Sequence, residues 1–177
     1  MRIMRYDPSN QARVLALILA FLISLAITFA GTLSSMSPSE AQVMKEEFEE
    51  VASSMMNVPA IFQNNLMYAL LMFIPVLGPL SAFYVLYSTG RYVAAFAMVS
   101  GENPAAFFML MFIFPHGWIE YTAYALAISQ SLWLTLRIAQ RRALKAEVKS
   151  TGMSIAACAA LLLLGAVVEM MTIQLLR

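Results

Sequence analysis

The sequence predicts an all-α protein, a polytopic transmembrane helical bundle of about five spans that forms a single domain over residues 1–177. Apolar residues make up 61% of the chain and charged residues only 12%, compared with roughly 45–50% and 25% in soluble domains. Apolar runs close to the roughly 20 residues that cross a bilayer core also recur along the chain. These two observations exclude an ordinary soluble globule and a disordered chain, because too few charged side chains are present to cover a water-exposed surface.

Composition also excludes several function classes. The net charge of +1 provides no overall attraction to a phosphate backbone, so we expect no nucleic-acid partner. The single cysteine, Cys158, excludes an internal disulfide framework and a cysteine-based metal centre. The single histidine, His116, excludes a multi-histidine metal site. Neither a Gly-x-Ser-x-Gly motif, a P-loop nor a glycine-rich dinucleotide loop is present, and we therefore expect no catalytic residues of those kinds and no cofactor.

Five segments are the candidate spans, and we place them at about residues 13–33, 60–78, 80–99, 105–138 and 153–176. The first apolar run is longer than the roughly 7–15 residues of a signal-peptide core, which favours a retained transmembrane helix. The second is expected to end at a break formed by Gly78 and Pro79.

The fourth segment is too long for one straight span. At ~1.5 Å per residue it would reach roughly 50 Å, against a bilayer core of about 30 Å. Pro115 and Gly117 interrupt it, because proline removes a backbone hydrogen bond and glycine adds backbone freedom. We therefore predict a short membrane-inserted segment, a kink at residues 115–117, and then a long helix that extends into water.

Basic residues predict the orientation of the bundle. They cluster before the first span and between the fourth and fifth spans, at Arg2, Arg5, Arg13, Arg137, Arg141, Arg142, Lys145 and Lys149. Because cytoplasmic loops carry the excess of Lys and Arg, both segments belong on the cytoplasmic side. Residues 34–58 carry five glutamates against one lysine, as expected outside. The prediction is a multi-pass protein of the cytoplasmic membrane with its N-terminus in the cytoplasm and its C-terminus outside.

The outer loop is predicted to contain an amphipathic helix over residues 38–56. Ser37 and Glu40 have capping-box spacing, with Pro38 at the first helical position. One apolar stripe then follows at helical spacing, formed by Met44, Phe48, Val51 and Met55. We interpret this element as a surface helix that lies on the bilayer or packs over the bundle. The alternative is a docking site for an extracytoplasmic partner.

Four ionisable residues fall inside the candidate spans, namely Arg91, His116, Glu120 and Glu169. A charged side chain at the bilayer centre costs on the order of 2.5–3.5 kcal/mol, so such residues are expected to be paired or functional. His116 and Glu120 are four residues apart and share a helix face. Arg91 can neutralise Glu120 or Glu169, and the pair Asn64 and Asn65 can join the same polar cluster.

Three interpretations of this cluster remain open. The first is a buried network of ion pairs and hydrogen bonds that determines how the helices pack. The second is a transport or proton path in which Glu120 and Glu169 exchange protons. The third is a membrane-embedded metallohydrolase in which His116, Glu120 and Glu169 would be the metal ligands. Catalytic zinc usually takes three protein ligands, and the sequence contains no His-Glu-x-x-His motif, so no metal is expected.

Three motifs resemble those of one family. The sequence Pro-His-Gly-Trp-Ile-Glu at residues 115–120 resembles the Pro-His-Gly-x-x-Glu signature of the stage II sporulation protein M family. Residues 61–65, which contain Asn64 and Asn65, resemble the entry to that family's second span. Residues 165–169 resemble the small-residue-then-Glu pattern of its last helix. The third span departs from the family, which tends to carry Asn-Gly where this chain has Thr89-Gly90 followed by Arg91.

The resemblance implies a multi-span helical protein of the cytoplasmic membrane, with Asn65 or Asn64, His116, Glu120 and Glu169 as its site. In spore-forming bacteria the named member of the family is a scaffold for a peptidoglycan-degrading complex. Our leading hypothesis is therefore a non-enzymatic scaffold that organises a membrane complex or membrane shape. Its expected partners are the lipid bilayer, a second copy or other membrane proteins, and a partner bound at residues 38–56. A small-solute or proton-coupled transporter and a metallohydrolase are the alternatives.

Overall fold

A computed structural model describes residues 9–54 and 56–175, and within these ranges the chain forms helices and no strand. The described residues form seven α-helices, which are α1 (Asn10–Thr32), α2 (Pro38–Ser54), α3 (Val58–Met72), α4 (Leu77–Ser100), α5 (Pro104–Leu110), α6 (Pro115–Ala139) and α7 (Val148–Leu175). A short 3₁₀ helix, Leu144–Glu147, leads directly into α7. The all-α prediction is confirmed. The N-terminal arginines Arg2 and Arg5 and both chain ends lie outside the described residues.

Two helices of the described ranges are long and apolar enough to cross a membrane. They are α1 and the continuous helical segment Leu144–Leu175 that contains α7. Helix α3 has 15 residues and therefore reaches about 22 Å at ~1.5 Å per residue. By length and composition alone the structure thus supports two spans, and the figure of about five remains a prediction.

The long helices alternate in direction. Near one end of the bundle Arg13 at the start of α1 contacts Glu147 just before α7, and Arg137 at the end of α6 contacts the same carboxylate. The start of α4 lies at this end too, because the backbone N–H of Val76 donates to Thr135 Oγ1 in α6 at 2.7 Å. Helices α1, α4 and α7 therefore start where α6 ends. Helix α3 precedes α4 through a tight turn and runs in the opposite direction to it.

The interior is built from small and weakly polar side chains. Helices α1 and α4 cross so closely that a Cβ added to Gly90 would lie 2.0 Å from the Thr28 carbonyl oxygen. A Cβ added to Gly31 would lie 2.2 Å from the Tyr87 carbonyl oxygen. Buried Thr28 accepts a hydrogen bond from Tyr121 of α6 at 2.8 Å between Oη and Oγ1. Close backbone contact through small residues, reinforced by hydroxyls, is typical of helix packing in membranes.

The boundary between α3 and α4 differs from the prediction. The helical backbone is interrupted at residues 73–76 instead of at Gly78 and Pro79. Val76 has φ of 69° and ψ of -51°, the geometry of a γ-turn in which the Leu77 N–H donates to the Pro75 carbonyl at 2.8 Å. Pro79 lies in the first turn of α4, where its missing N–H is harmless because the first four N–H groups of a helix have no intrahelical partner. The carbonyl of Ile74 accepts a hydrogen bond from Ser131 at 2.8 Å, which attaches this turn to α6.

The region of residues 105–138 also differs from the prediction. It forms two helices, α5 and α6, separated by a turn at residues 111–114. Pro115 occupies the first position of α6, where its fixed φ favours the helical conformation, so it begins a helix and does not kink one. Gly117 is buried where an added Cβ would lie 2.3 Å from the Met111 carbonyl oxygen. A glycine here therefore lets the preceding turn pack against the first turn of α6.

The outer helix begins where the capping signal predicts. Ser37 Oγ accepts a hydrogen bond from the Glu40 backbone N–H at 3.2 Å, and Pro38 is the first helical residue. Helix α2 packs along α4, with Phe48 in edge contact with Phe96 at 5.2 Å between ring centroids. The element thus packs over the bundle, which is one of the two arrangements expected of it. Met55, the last member of the predicted apolar stripe, lies outside the described residues.

Candidate functional site

The predicted polar cluster is partly assembled where α3, α6 and α7 meet. Asn65 Nδ2 donates a hydrogen bond to Glu120 Oε1 at 2.8 Å, across 55 residues of sequence. Asn64 Nδ2 donates to Asn65 Oδ1 at 3.2 Å, which orients the amide that binds the carboxylate. Both asparagines and the glutamate are partly buried. Three of the six predicted site residues therefore form one hydrogen-bonded chain.

Helix α7 packs against this cluster through Gly165. A Cβ added to Gly165 would lie 3.2 Å from Glu120 Cγ, so the side chain of Glu120 lies directly against the α7 backbone. Glu169 follows Gly165 by one turn on the same face of α7. Tyr124 follows Glu120 by one turn on the same face of α6 and is buried. The small-residue-then-Glu pattern of the last helix thus has a steric role as well as a polar one.

Arg91 does not join this cluster. Its guanidinium forms an ion pair with Glu40 of α2, and this differs from the expectation that it neutralises Glu120 or Glu169. Tyr92 and Phe96 continue the same face of α4 and contact Phe48, while Lys45 lies over the Phe96 ring at 5.8 Å. The physical reason is position, because Arg91 lies in the half of α4 that carries the outer helix. Arg91 therefore attaches α2 to the bundle.

His116 lies near the polar cluster in sequence but is not bonded to it. Its ring stacks on Phe114 at 6.2 Å between centroids, and Nδ1 is buried without a hydrogen-bond partner among the described residues. Within the same residues no group of three or more His, Cys, Asp or Glu side chains is placed to hold a metal ion. The three candidate metal ligands are therefore not gathered into one site.

A second polar cluster, which the sequence interpretation missed, lies where α1, α6 and α7 meet. Glu147 is 1% exposed and accepts hydrogen bonds from Arg13 Nη2 at 2.8 Å and from Arg137 Nε at 2.7 Å. Gln130 Nε2 donates to Thr151 Oγ1 at 2.9 Å beside it. Arg13 also lies over the Trp133 ring at 5.7 Å.

One signal in the sequence could have indicated this second cluster. Glu147 is the only acidic residue in the basic stretch of residues 137–149. A lone acid among cations at the end of a span is a natural ion-pair partner, because a buried charge must be compensated. Its pairing with Arg13, 134 residues away, nonetheless requires the folded bundle.

Taken together, the apolar helices, the small-residue interior and the partly buried Asn65–Glu120 contact are those of an α-helical membrane protein. The sequence profile of the stage II sporulation protein M family matches residues 14–172 of the 177-residue chain. The chain therefore belongs to the stage II sporulation protein M family, which confirms the resemblance seen in its motifs. No curated protein and no solved structure is significantly similar to it.

Proposed function

We propose that this protein is a non-enzymatic scaffold of the cytoplasmic membrane that organises a membrane complex or membrane shape. In this proposal α1, α3, α4, α6 and α7 cross the bilayer, with the N-terminus in the cytoplasm and the C-terminus outside. Helix α2 covers the outer surface and α5 is a short inserted segment. The bilayer, a second copy, other membrane proteins and an extracytoplasmic partner at α2 are the proposed contacts.

The alternating directions of the five helices support this topology. The end of the bundle where α6 meets α7 carries basic residues in excess, and we assign it to the cytoplasm. They are Arg13, Arg137, Arg141, Arg142, Lys145 and Lys149. The opposite end carries α2 with its glutamates. Helix α3 is shorter than the bilayer core, and local thinning or flanking side chains accommodate a short helix at modest cost.

The distribution of apolar side chains supports contact with lipid. Large hydrophobic residues are widely exposed on the outer faces of the helices, and each proposed span contributes some. Examples are Leu15, Leu19 and Leu22 of α1, Met67 and Leu70 of α3, Leu80 and Phe83 of α4, Trp118 and Leu132 of α6, and Leu163 and Met171 of α7. A soluble monomer rarely exposes so continuous an apolar surface, whereas hydrocarbon chains cover it without penalty.

The hydrogen bond between Asn65 and Glu120 is the observation that carries the scaffold proposal. It uses the membrane-embedded carboxyl to hold two helices together, and Gly165 brings a third helix against the same side chain. A polar group that is bonded within the bundle fixes helix packing, and a fixed shape is what a scaffold needs. In this proposal His116 and Glu169 lie around the contact formed by Asn65, Glu120 and Gly165 and do not take part in it directly.

The test compares assembly with proton movement. The protein and its Glu120→Gln and Glu169→Gln variants are reconstituted in vesicles that contain a pH-sensitive dye, with Glu49→Gln of the exposed outer helix as the matched control. The scaffold proposal expects the same proton flux as in protein-free vesicles for every sample. In native membranes, it expects a reproducible set of proteins to be cross-linked to the parent, and Asn65→Leu to lose them.

One observation favours the transporter as the second candidate. Glu120 lies against Gly165 of α7, Glu169 follows that glycine by one turn on the same face, and Arg91 is paired with Glu40. Two neighbouring carboxyl groups within a membrane are a recurrent arrangement for proton exchange. If the parent conducts protons and both glutamine variants abolish the flux while assembly is intact, the transporter replaces the scaffold.

A further inference from the structure

The exposed face of α4 is polar halfway along the helix. Tyr84 is 73% exposed, and Ser81, Tyr84 and Ser88 lie at i, i+3 and i+7, so they form one line on the helix surface. We refer to these three residues as the hydroxyl stripe. Ser88 is the twelfth of the 24 residues of α4, which places the stripe near the bilayer centre in the proposed topology. The inference below rests on that topology.

Two hydroxyls of the stripe have no hydrogen-bond partner among the described residues. Elsewhere, helix hydroxyls are satisfied by the carbonyl one turn earlier, as in Ser24 to Ala20 at 2.7 Å and Ser81 to Leu77 at 3.0 Å. No such bond occurs for Tyr84 or Ser88. Lipid chains offer no hydrogen-bonding groups, so an unpartnered hydroxyl facing them is unfavourable. The outward surface of α1 offers a contrast, since it presents leucines such as Leu15 and Leu19.

We infer that the hydroxyl stripe is the interface through which two copies of this chain associate in the membrane. Both copies insert in the same orientation, so the two-fold axis that relates them runs along the membrane normal. Each residue of α4 then meets its own counterpart at the same depth. A hydroxyl both donates and accepts, and it is therefore complementary to itself, which a charged side chain is not.

Two further features of α4 fit a second copy. The nearby Arg91 is already paired with Glu40. The Arg91 side chains of two copies would therefore not repel each other across the two-fold axis as unpaired charges would. Phe83 and Tyr87 stack at 5.7 Å between centroids beside the stripe and provide a firm aromatic surface for packing. A different membrane protein would require a donor–acceptor pattern matched to the stripe, whereas a second copy has this match by symmetry.

Cross-linking in native membranes tests this interface. A Cys158→Ala background removes the buried native thiol, and single cysteines are introduced as Tyr84→Cys, Ser88→Cys and, as a control on an apolar lipid-facing surface, Leu163→Cys. A short bismaleimide adds one thiol at each end and needs no oxidant. We expect cross-linked dimer at Tyr84→Cys and Ser88→Cys, and only background at Leu163→Cys. Because two stripe positions are tested, the interface can still be assessed if one of the two variants fails to fold.

A second measurement uses less disruptive changes. The double variant Tyr84→Phe with Ser88→Ala keeps the shape of the stripe but removes both unpartnered hydroxyls. Dimer dissociation followed by energy transfer between labelled copies in vesicles should weaken by about tenfold, which corresponds to about 1.4 kcal/mol. The control is Ser81→Ala, whose hydroxyl is already bonded within α4.

The possible failures are distinguishable. Equal cross-linking at all three positions, or none at the stripe, overturns the interface. An adduct at Tyr84→Cys with the mass of another protein assigns the stripe to a different partner and also overturns it. Maleimide labelling from each side of the membrane at Glu102→Cys and Arg141→Cys checks the topology separately. If both positions label from the same side, α6 does not cross the membrane. Because the start of α4 lies beside the end of α6, the proposed crossing of α4 then fails too, and the inference fails with it.

Discussion

The side-chain amide of Asn65 donates a hydrogen bond to the Glu120 carboxylate at 2.8 Å and so joins α3 to α6 inside the bundle. The same carboxyl side chain lies against Gly165 of α7. A single polar contact therefore positions three helices that are distant in sequence. Its role as a packing centre can be tested by changing the two partners separately.

Replacing Glu120 by leucine should destabilise the bundle by about 1–2 kcal/mol, because Asn65 would lose its acceptor in a water-poor interior. Glu120→Gln should lose less, since the glutamine carbonyl can accept the same hydrogen bond. Thermal unfolding in lipid nanodiscs measures both. A loss for Glu120→Gln as large as that for Glu120→Leu would show that the charge, and not the hydrogen bond, matters for packing.

Substituting Gly90 by alanine should separate α1 from α4. The added Cβ would lie 2.0 Å from the Thr28 carbonyl oxygen, which is backbone and cannot rotate away. Overpacking of this kind costs typically about 1–3 kcal/mol, and it should appear as a lower unfolding temperature.

Gly152→Ala of α7 is the matched control for the Gly90 variant. An added Cβ there meets nothing within 4 Å, so the higher helix propensity of alanine should stabilise the protein by roughly 0.5–1 kcal/mol. Equal effects of the two substitutions would contradict the close α1–α4 crossing.

Removing the Glu147 carboxyl should weaken the end of the bundle where α1, α6 and α7 meet. Glu147→Leu leaves Arg13 and Arg137 without their shared anion, and breaking a buried pair costs up to about 3–5 kcal/mol. Glu49→Gln breaks only the exposed pair with Lys45, which is worth about 0.3–0.5 kcal/mol. Hydrogen exchange should report faster opening at the start of α1 only in the first variant, and unchanged exchange there would argue against the cluster.

Reversing the ion pair between α2 and α4 should loosen the outer helix without unfolding the bundle. Arg91→Glu and Glu40→Arg each place like charges together, while the double variant restores attraction. Because both side chains are partly exposed, the pair contributes only about 0.2–1 kcal/mol. Protease cleavage near residue 55 should quicken in each single variant and recover in the double variant. Failure of the double variant to recover would mean that Phe48 and not the ion pair holds α2.

Several elements were predictable because their signals are local. Ser37, Pro38 and Glu40 define the start of α2 within four residues, and that start is confirmed. The shared face of His116 and Glu120 follows from their spacing. The two proline breaks were less accurate, because proline at the first turn of a helix and proline at a kink have similar sequence signatures.

Pairings between distant residues could not be predicted in the same way. Charge alone suggested two partners for Arg91, Glu120 and Glu169, whereas the structure pairs it with Glu40, 51 residues away. Glu147 lies within the basic stretch of residues 137–149, yet it is the buried centre of a cluster. Both outcomes depend on which helix faces meet, and helical periodicity defines a face without defining its neighbour.

The sequence by itself determined the class, the family and the few polar residues that deserve a role, because composition, motif spacing and hydropathy are properties of the chain alone. Only the tertiary structure decided that Glu120 bonds to Asn65, that Arg91 holds the outer helix, and that the hydroxyls of Tyr84 and Ser88 have no hydrogen-bond partner in the part of the chain that the structure describes. The reason is that hydrogen bonds and ion pairs act over a few ångströms, so their partners exist only after the helices have packed.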